Sequence, residues 1–454
     1  MKNILGNIYK KKLTESKKKI YLGFFWLLCF AALNLNPEEI NNMNSTQLLR
    51  IASPLVLILF FFIYNFNYKI IFFQKINVNF YLFITYFFLL IFFTLWNVNI
   101  NSFLNIYWGL LMVVPILYIF VFQNDSDQLK FFLLLSLLLL FSIFSYYFLK
   151  IVISMILLKK VIHLYGISDP NFFSITNEIS PRSSGLSRMA IIIYISLSCY
   201  LVTVRGKFYV KSSACFFAII IGTIGLLFQS RTMNFIFLIF TILLTLIYFN
   251  RKSLINRKFI FFLIITPIIL TNIYNYYAFQ NTSDAQYLKY YDNHYNSEKN
   301  FNLFDKSKNI AKNSIIRESD ENFSSSRFDI WRKTIEISKK NILIGYGFQS
   351  DRKLINESTH NVYLYSLICG GLISALLIIL ISLRGAWVSL MIIINFLFLK
   401  KNYDSLALIS AFLVPLFLQR GTLENSYGIY SIDFLFFIIC FFINEINYKK
   451  KLFI

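Results

Sequence analysis

The side chains best suited to proton transfer lie in one short pattern in the second half of the chain. Residues 360–364 read His-Asn-Val-Tyr-Leu, and the glycine pair 370–371 follows at the start of a long apolar run. A histidine titrates near neutral pH, so His360 could accept the proton of a hydroxyl group. One helical turn would place His360, Tyr363 and Leu364 on a common face at the mouth of a membrane helix. A hydrogen-bonded interfacial histidine is the alternative interpretation. The glycine pair is typical of a helix break, a kink or a close approach of another helix.

Four arginines form a second group with a chemistry of their own: Arg182, Arg188, Arg231 and Arg327. Guanidinium groups bind phosphate oxygens in a bidentate manner. All four fall on the external side of the chain predicted below, where the positive-inside rule disfavours cations. Together they predict a site for a lipid pyrophosphate. For any one of them, a headgroup contact or a salt bridge is an equally good explanation.

The remaining polar signals are weaker. Glu424, in the last external turn, could pair with an arginine or orient a hydroxyl. The pair Glu38-Glu39 is also explained by a solvated loop, and His163 and His294 have no metal-ligand neighbourhood. The sequence contains no nucleotide-binding loop, zinc spacing or dinucleotide fingerprint. No cofactor is therefore predicted, and ATP-driven transport by this chain alone is unsupported.

Composition indicates the elements that must carry these residues. The chain has 454 residues, of which 57% are hydrophobic and only 15% charged, against about 25% charged in ordinary globular domains. It is therefore a polytopic membrane protein. The net charge of +22 comes from short basic links between apolar runs, so membrane orientation explains it and nucleic-acid binding is not predicted. All five cysteines lie inside apolar runs, which favours neither a disulfide framework nor thiol catalysis.

Spanning helices need about 20 mostly apolar residues, and the sequence offers twelve candidate runs. They are 20–35, 51–66, 79–96, 103–122, 130–150, 188–204, 212–228, 232–249, 259–278, 362–399, 403–418 and 427–443. The fifth run could extend to residue 158. The run 362–399 is interpreted as one crossing with an extra interfacial piece rather than two crossings broken at Arg384. This choice puts both chain ends on the cytoplasmic side and leaves Arg384 close to the membrane.

The predicted architecture has three parts. Residues 1–278 hold helices one to nine and a cytoplasmic N-terminus, 279–359 form a large periplasmic loop domain, and 360–454 hold helices ten to twelve and a cytoplasmic C-terminus. Loops as long as 279–359 are usually functional or disordered. Within it, Ser324 to Lys340 is predicted to form an amphipathic helix, because Phe328, Trp331, Ile335 and Ser338 recur at helical spacing.

These features together resemble the O-antigen ligase and O-antigen polymerase superfamily of bacterial envelope membranes. The resemblance rests on His360-Asn361-x-Tyr363-Leu364 with Gly370 and Gly371, on Ile344-Gly345-Tyr346-Gly347, on Ser326-Arg327 with Trp331, on Arg182-Ser183-Ser184-Gly185 and on Ser230-Arg231-Thr232. It covers residues 182–371, and the twelve-helix count fits the rest of the chain.

The resemblance implies an all-α, multi-spanning (GT-C-like) glycosyltransferase that needs no metal and takes an undecaprenyl-diphosphate-linked glycan at the periplasmic face of the inner membrane. It implies catalytic roles for His360, Arg182, Arg231 and Arg327, with Arg188, Trp331, Asn361, Tyr363 and Glu424 in substrate binding. Membrane lipids are implied partners, and the family also admits a chain-length regulator protein.

Two members of the superfamily, and one other class, fit the sequence. A polymerase joins lipid-linked repeat units, whereas a ligase transfers the glycan to lipid A-core in lipopolysaccharide biosynthesis. The high Phe, Tyr, Ile and Asn content resembles polymerases of surface-polysaccharide clusters and favours that activity. A flippase or transporter of lipid-linked sugars is the third alternative, but related halves and broken midplane helices, which are typical of transporters, are not evident.

Overall fold

A computed structural model describes most of the membrane-spanning part of the chain. The described residues are 78–97, 126–158, 183–204, 206–228, 230–250, 257–281, 325–429 and 431–452, with isolated residues between 23 and 119. Regular secondary structure in these ranges is entirely helical, and seven helices are long and apolar enough to cross a membrane. The predicted all-α polytopic membrane fold is therefore confirmed. The predicted runs 20–35, 51–66 and 103–122 lie mostly outside the described residues, so the count of twelve, the orientation and the three-part division stay predictions.

The helices with described bounds are numbered here in chain order. They are α1 Val78–Trp96, α2 Ser126–Leu158, α3 Ser183–Thr203, α4 Phe208–Leu227, α5 Arg231–Asn250, α6 Arg257–Asn281, α7 Ser325–Lys339, α8 Ser350–Leu354, α9 Val362–Leu397, α10 Ser405–Gly421 and α11 Ile432–Leu452. The α2 bounds confirm that the fifth apolar run reaches residue 158. Two compact units divide the chain: the first comprises 1–136, 330–395 and 406–454, and the second 137–329 and 396–405.

The second unit contains a bundle of α3 to α6. Small residues let α3 and α4 approach closely, because a Cβ at Gly222 would meet the Tyr194 ring and one at Gly225 would meet Ile191. Close approach through small residues is a common device in membrane helix packing. A hydrogen bond from Ser187 Oγ to the Gly225 carbonyl, 2.9 Å long, joins the start of α3 to the end of α4.

In the first unit, the long helix α9 is broken at Gly371, not at Arg384. Gly371 has φ 67°, a left-handed conformation that favours glycine. The break is filled by backbone from residues 342–347. The N–H groups of Tyr346 and Gly347 donate to the Ile368 and Cys369 carbonyls at 2.8 and 2.7 Å, and Leu372 N–H donates to the Ile342 carbonyl at 2.7 Å. The glycine pair thus marks a break, as the sequence suggested, and a loop rather than a helix approaches it.

Arg384 finds its partner inside the helical core. Its guanidinium donates to both carboxylate oxygens of Glu445 on α11, at 2.6 and 3.1 Å. Nearby on the same helices, Asn444 Nδ2 donates to Ser389 Oγ at 3.0 Å, and Ser410 Oγ donates to Asn444 Oδ1 at 2.5 Å. These bonds connect α9, α10 and α11 and let polar side chains be buried in a membrane protein.

Helix α7 confirms the predicted amphipathic helix, and the structure shows which of its residues are buried. Phe328 and Ile335 are exposed, whereas Ile330, Thr334 and Ser338 are buried. Burial of the two hydroxyl groups is tolerated because each donates to the carbonyl four residues earlier, at 2.7 Å. Hydrophobicity alone therefore pointed to a face that is offset from the buried one.

Candidate active site

His360 lies outside the helix that follows it. Its φ of 49° is in the left-handed region, which histidine visits more readily than most residues, and α9 begins only at Val362. The expected common helical face of His360, Tyr363 and Leu364 is therefore wrong. Non-glycine residues in this region cost about 1–3 kcal/mol and are concentrated at functional sites. The surrounding contacts must hold His360 in this conformation.

The partner of His360 is Glu424. His360 Nδ1 lies 3.1 Å from Glu424 Oε2, so an Nδ1 proton is donated to the carboxylate and Nε2 becomes the acceptor nitrogen. The side chains are 35% and 37% exposed, which leaves the pair accessible to a substrate. The sequence analysis proposed an arginine or a hydroxyl as the partner of Glu424, and the structure adds His360 as a partner.

Asn361 ends the irregular segment and starts the helix. Its Oδ1 accepts the backbone N–H groups of Tyr363 and Leu364 at 2.9 and 3.1 Å, which makes it the N-cap of α9. Its Nδ2 donates to the Thr422 carbonyl at 3.1 Å. The start of α9 and the turn 422–425 are thereby fixed to each other. This turn carries Glu424.

The most connected side chain of the site is Asn425, which the sequence analysis missed. Its Oδ1 accepts from Thr359 Oγ1 at 2.8 Å and from Asn361 N–H at 3.0 Å. Its Nδ2 donates to Ser358 Oγ at 3.0 Å and to Asp351 Oδ2 at 3.3 Å. An amide has two donor and two acceptor positions, and all four are used. Asn425 therefore holds the residues on both sides of His360.

Two further contacts fix the segment before His360. Trp331 Nε1, on α7, donates to the Thr359 carbonyl at 2.9 Å. Thr359 N–H donates to Asp351 Oδ2 at 3.2 Å. Burial raises the pKa of the Asp351 carboxyl, and backbone hydrogen bonds, the largest from Thr359, oppose that shift. The segment before His360 is thus held by hydrogen bonds to Asp351 and Trp331, while the His360 and Glu424 side chains stay partly exposed.

Tyr363 lies on the first turn of α9 and reaches a second polar contact. Tyr427 Oη donates to Tyr363 Oη at 3.4 Å and also bonds Ser382 Oγ at 2.7 Å. Tyr427 is stacked on Phe437 with ring centroids 4.3 Å apart. The structure thus brings His360, Asn361, Tyr363, Trp331 and Glu424 together in one unit.

The described arginines lie on three helices: Arg188 on α3, Arg231 on α5 and Arg327 on α7. Arg188 is half-buried near the start of α3, and Arg231 is the first residue of α5. Because Ser187 bonds Gly225 and α5 begins shortly after α4 ends, both lie at the same end of the second unit. Arg327 lies, half-buried, in the first turn of α7. Arg182, like Glu38, Glu39, His163 and His294, lies outside the described residues.

Two observations concern metals and thiols. Within the described ranges, no group of three or more His, Cys, Asp or Glu side chains could hold a metal ion. The five cysteines are buried and unpaired with each other.

Comparison with known proteins adds one finding. A family model described as O-antigen ligase matches residues 214–379, from within α4 to within α9. The matched segment includes Arg231, Arg327, Trp331, His360 and the helix break at Gly371. A search of curated proteins found no match to the chain. The family match confirms the resemblance read from the sequence and supports the O-antigen polymerase and ligase superfamily, a class of membrane enzymes.

Proposed function

We propose that the protein is a surface-polysaccharide polymerase that joins undecaprenyl-diphosphate-linked repeat units at the periplasmic face of the inner membrane. The observation that carries this proposal is the accessible His360–Glu424 pair, held by a fully used Asn425 amide. A histidine kept in a strained conformation by buried partners is preorganised for chemistry rather than for packing.

In the proposed reaction, an acceptor sugar hydroxyl attacks the anomeric carbon of the donor glycan. His360 Nε2 takes the hydroxyl proton as the new glycosidic bond forms, and the bond from the sugar to the diphosphate oxygen breaks. The Glu424 carboxylate fixes the Nδ1 tautomer and stabilises the imidazolium that results. The lipid diphosphate leaves with the electron pair of the broken bond.

The arginines Arg182, Arg231 and Arg327, with Arg188 as a helper, are proposed to bind that leaving group. Negative charge grows on the diphosphate as its bond to the sugar breaks, so fixed cations stabilise the transition state more than the ground state. Because these cations supply the positive charge, the proposed transfer needs no metal. Trp331 and Tyr363 are proposed to line the sugar groove, and Asn361 to bind beside them.

The second candidate is transfer of the glycan to lipid A-core, which the description of the matching family model favours. The composition, rich in Phe, Tyr, Ile and Asn, favours the polymerase. Both activities use the same donor and the same proton acceptor, and they differ in the acceptor molecule. A chain-length regulator is a proposed partner of the polymerase only.

The test is transfer by the purified protein in liposomes with a defined lipid-diphosphate repeat unit and EDTA. A product ladder without lipid A-core supports the polymerase, and transfer only after lipid A-core is added supports the ligase. Loss of activity on adding EDTA contradicts the metal-independent mechanism. Absence of both products with native substrate and folded protein contradicts a transferase and favours transport of lipid-linked sugars.

A further inference from the structure

The exposed face of α7 carries apolar and basic side chains in alternation. Phe328, Arg332, Ile335 and Lys339 follow each other at the spacing of one helical face, and Ile342 and Leu343 continue it in the turn after α7. The acidic residues Asp329 and Glu336 are exposed beside this strip, and Glu336 lies 3.3 Å from Arg332. Ile335, Ile342 and Leu343 are exposed to 41, 44 and 61%. An apolar strip flanked by cations is typical of helices that lie in a membrane interface.

We propose that this face of α7 rests on the membrane surface and binds lipids with anionic headgroups. The proposal goes beyond the transfer reaction and requires only that the chain spans a membrane. Charge complementarity identifies the occupant, since Arg332 and Lys339 would lie beside lipid phosphates while Ile335 and Leu343 enter the apolar boundary.

The height of α7 relative to the membrane follows from its connection to α9. The segment after α7 fills the break at Gly371, where Leu372 N–H bonds the Ile342 carbonyl. Between Val362 and Gly371, no residue of α9 is classed as exposed. From there on, an exposed apolar strip runs along the helix through Leu372, Ile373, Leu376, Ile379, Leu380 and Leu383. The lipid-facing surface of α9 thus starts at the level of Ile342.

Helix α1 independently indicates the same position for the membrane boundary. Its apolar span Asn79–Trp96 has 18 residues and is about 27 Å long, close to the thickness of a bilayer core. It ends at the exposed Trp96, a residue type enriched at membrane interfaces. Asn97 Nδ2 donates to the Gly345 carbonyl at 3.1 Å, and Phe348 N–H donates to Thr94 Oγ1 at 2.9 Å. Two spans therefore place the membrane boundary beside residues 342–348.

This placement has a consequence for the site. Trp331 on α7 donates to the Thr359 carbonyl, so α7 connects the membrane surface to the segment that carries His360. The ten residues from Val362 to Gly371 extend about 15 Å along α9. His360 would then lie at the height of the sugar units of a lipid-linked glycan, above the headgroups.

The test uses a fluorophore attached to the full-length protein in liposomes through Ile335→Cys, with Lys333→Cys as the matched position on the other side of α7. The native cysteines are buried, and the unmodified protein measures background labelling. We expect lipid-borne doxyl groups to quench the label at 335 and aqueous iodide to quench the label at 333. Equal quenching of both positions by iodide would overturn the proposal.

Lipid preference tests the charge argument in the same vesicles. Doxyl phosphatidylglycerol should quench the label at 335 more than doxyl phosphatidylcholine does. Replacing Arg332 and Lys339 by Gln should reduce the preference for the anionic lipid by about fivefold for each cation removed. Lys333→Gln with Lys340→Gln removes the same charge from the other side and should leave it unchanged. Equal effects of the two double variants would overturn specific headgroup binding by this face.

Discussion

Two glutamates of the first unit pair with a basic side chain, and their surroundings differ. Glu445 is 1% exposed and accepts two bonds from Arg384, so its carboxylate is closed to any further ligand, although the Arg384 side chain is 33% exposed. Glu424 and His360 are each about one-third exposed, and the groups that hold them lie behind them. The difference indicates which pair is available for chemistry. The Arg384–Glu445 pair joins α9 to α11, whereas the His360–Glu424 pair can contact a substrate.

The contribution that each pair is expected to make to stability supports the same distinction. Removing one partner of a buried pair leaves an uncompensated charge and is strongly destabilising, whereas an exposed pair contributes little to stability. The His360–Glu424 pair therefore has no large stabilising role that would explain the strained backbone at His360. The proposed catalytic role would account for both the strain and the accessibility.

The largest expected effect is on turnover. Replacing His360 by Ala should lower kcat by about 10²–10⁴-fold, the usual contribution of a general base. The measurement is the rate of glycan transfer in liposomes, normalised to folded protein. Expression and thermal unfolding should match the unchanged protein. A His360→Ala protein that folds and keeps its turnover would remove the proton-transfer role.

The closed pair should respond in the opposite way. Replacing Glu445 by Ala should lower the free energy of unfolding by about 1–3 kcal/mol, because Arg384 loses two hydrogen bonds to a buried carboxylate while its one-third-exposed side chain can still be hydrated. Chemical denaturation in mild detergent measures this loss. Glu424→Ala is the matched control and should leave the unfolding midpoint almost unchanged while turnover falls. Equal destabilisation by both changes would contradict the division into a structural and a catalytic pair.

An effect of similar size on stability is expected behind the open pair. Asn425→Ala leaves buried groups around Thr359 and Asn361 without a partner, which should cost about 1–3 kcal/mol of stability. It should also lower kcat more than it raises KM, because His360 loses its orientation. Asn425→Asp keeps the shape but loses both donors and faces Asp351 with a second carboxylate. If Asn425→Asp behaved like the unchanged protein, only the volume of Asn425 would matter.

The sequence predicted where most of the described helices lie because a membrane span is decided by the length of an apolar run, although α11 begins five and ends nine residues later than its predicted run 427–443. The bounds of α1 and α5 agree with their runs within one residue. The buried face of α7 was not predictable in this way, since Thr334 and Ser338 satisfy their hydroxyl groups on their own backbone. The spacing of hydrophobic residues gives no signal for hydrogen bonds between a side chain and its own helix backbone.

The site was predicted in part. His360, Asn361 and Glu424 could be named from residue types, and Asn361 also carries an N-cap signal that explains why His360 stays outside α9. The bonds of Asn425 to Thr359 and Asn361 join residues more than 60 positions apart. A single sequence contains no local pattern for such contacts, so the contacts of Asn425 and Asp351 could be recognised only in the three-dimensional structure.

The most direct measurement is a double-mutant cycle of His360→Ala and Glu424→Gln on kcat. If Glu424 acts only through His360, Glu424→Gln should lower kcat by about ten- to a hundredfold in the unchanged protein and have almost no effect in the His360→Ala protein. The same fold loss in both backgrounds would mean that the two residues act independently, and it would contradict the pair as the centre of the site.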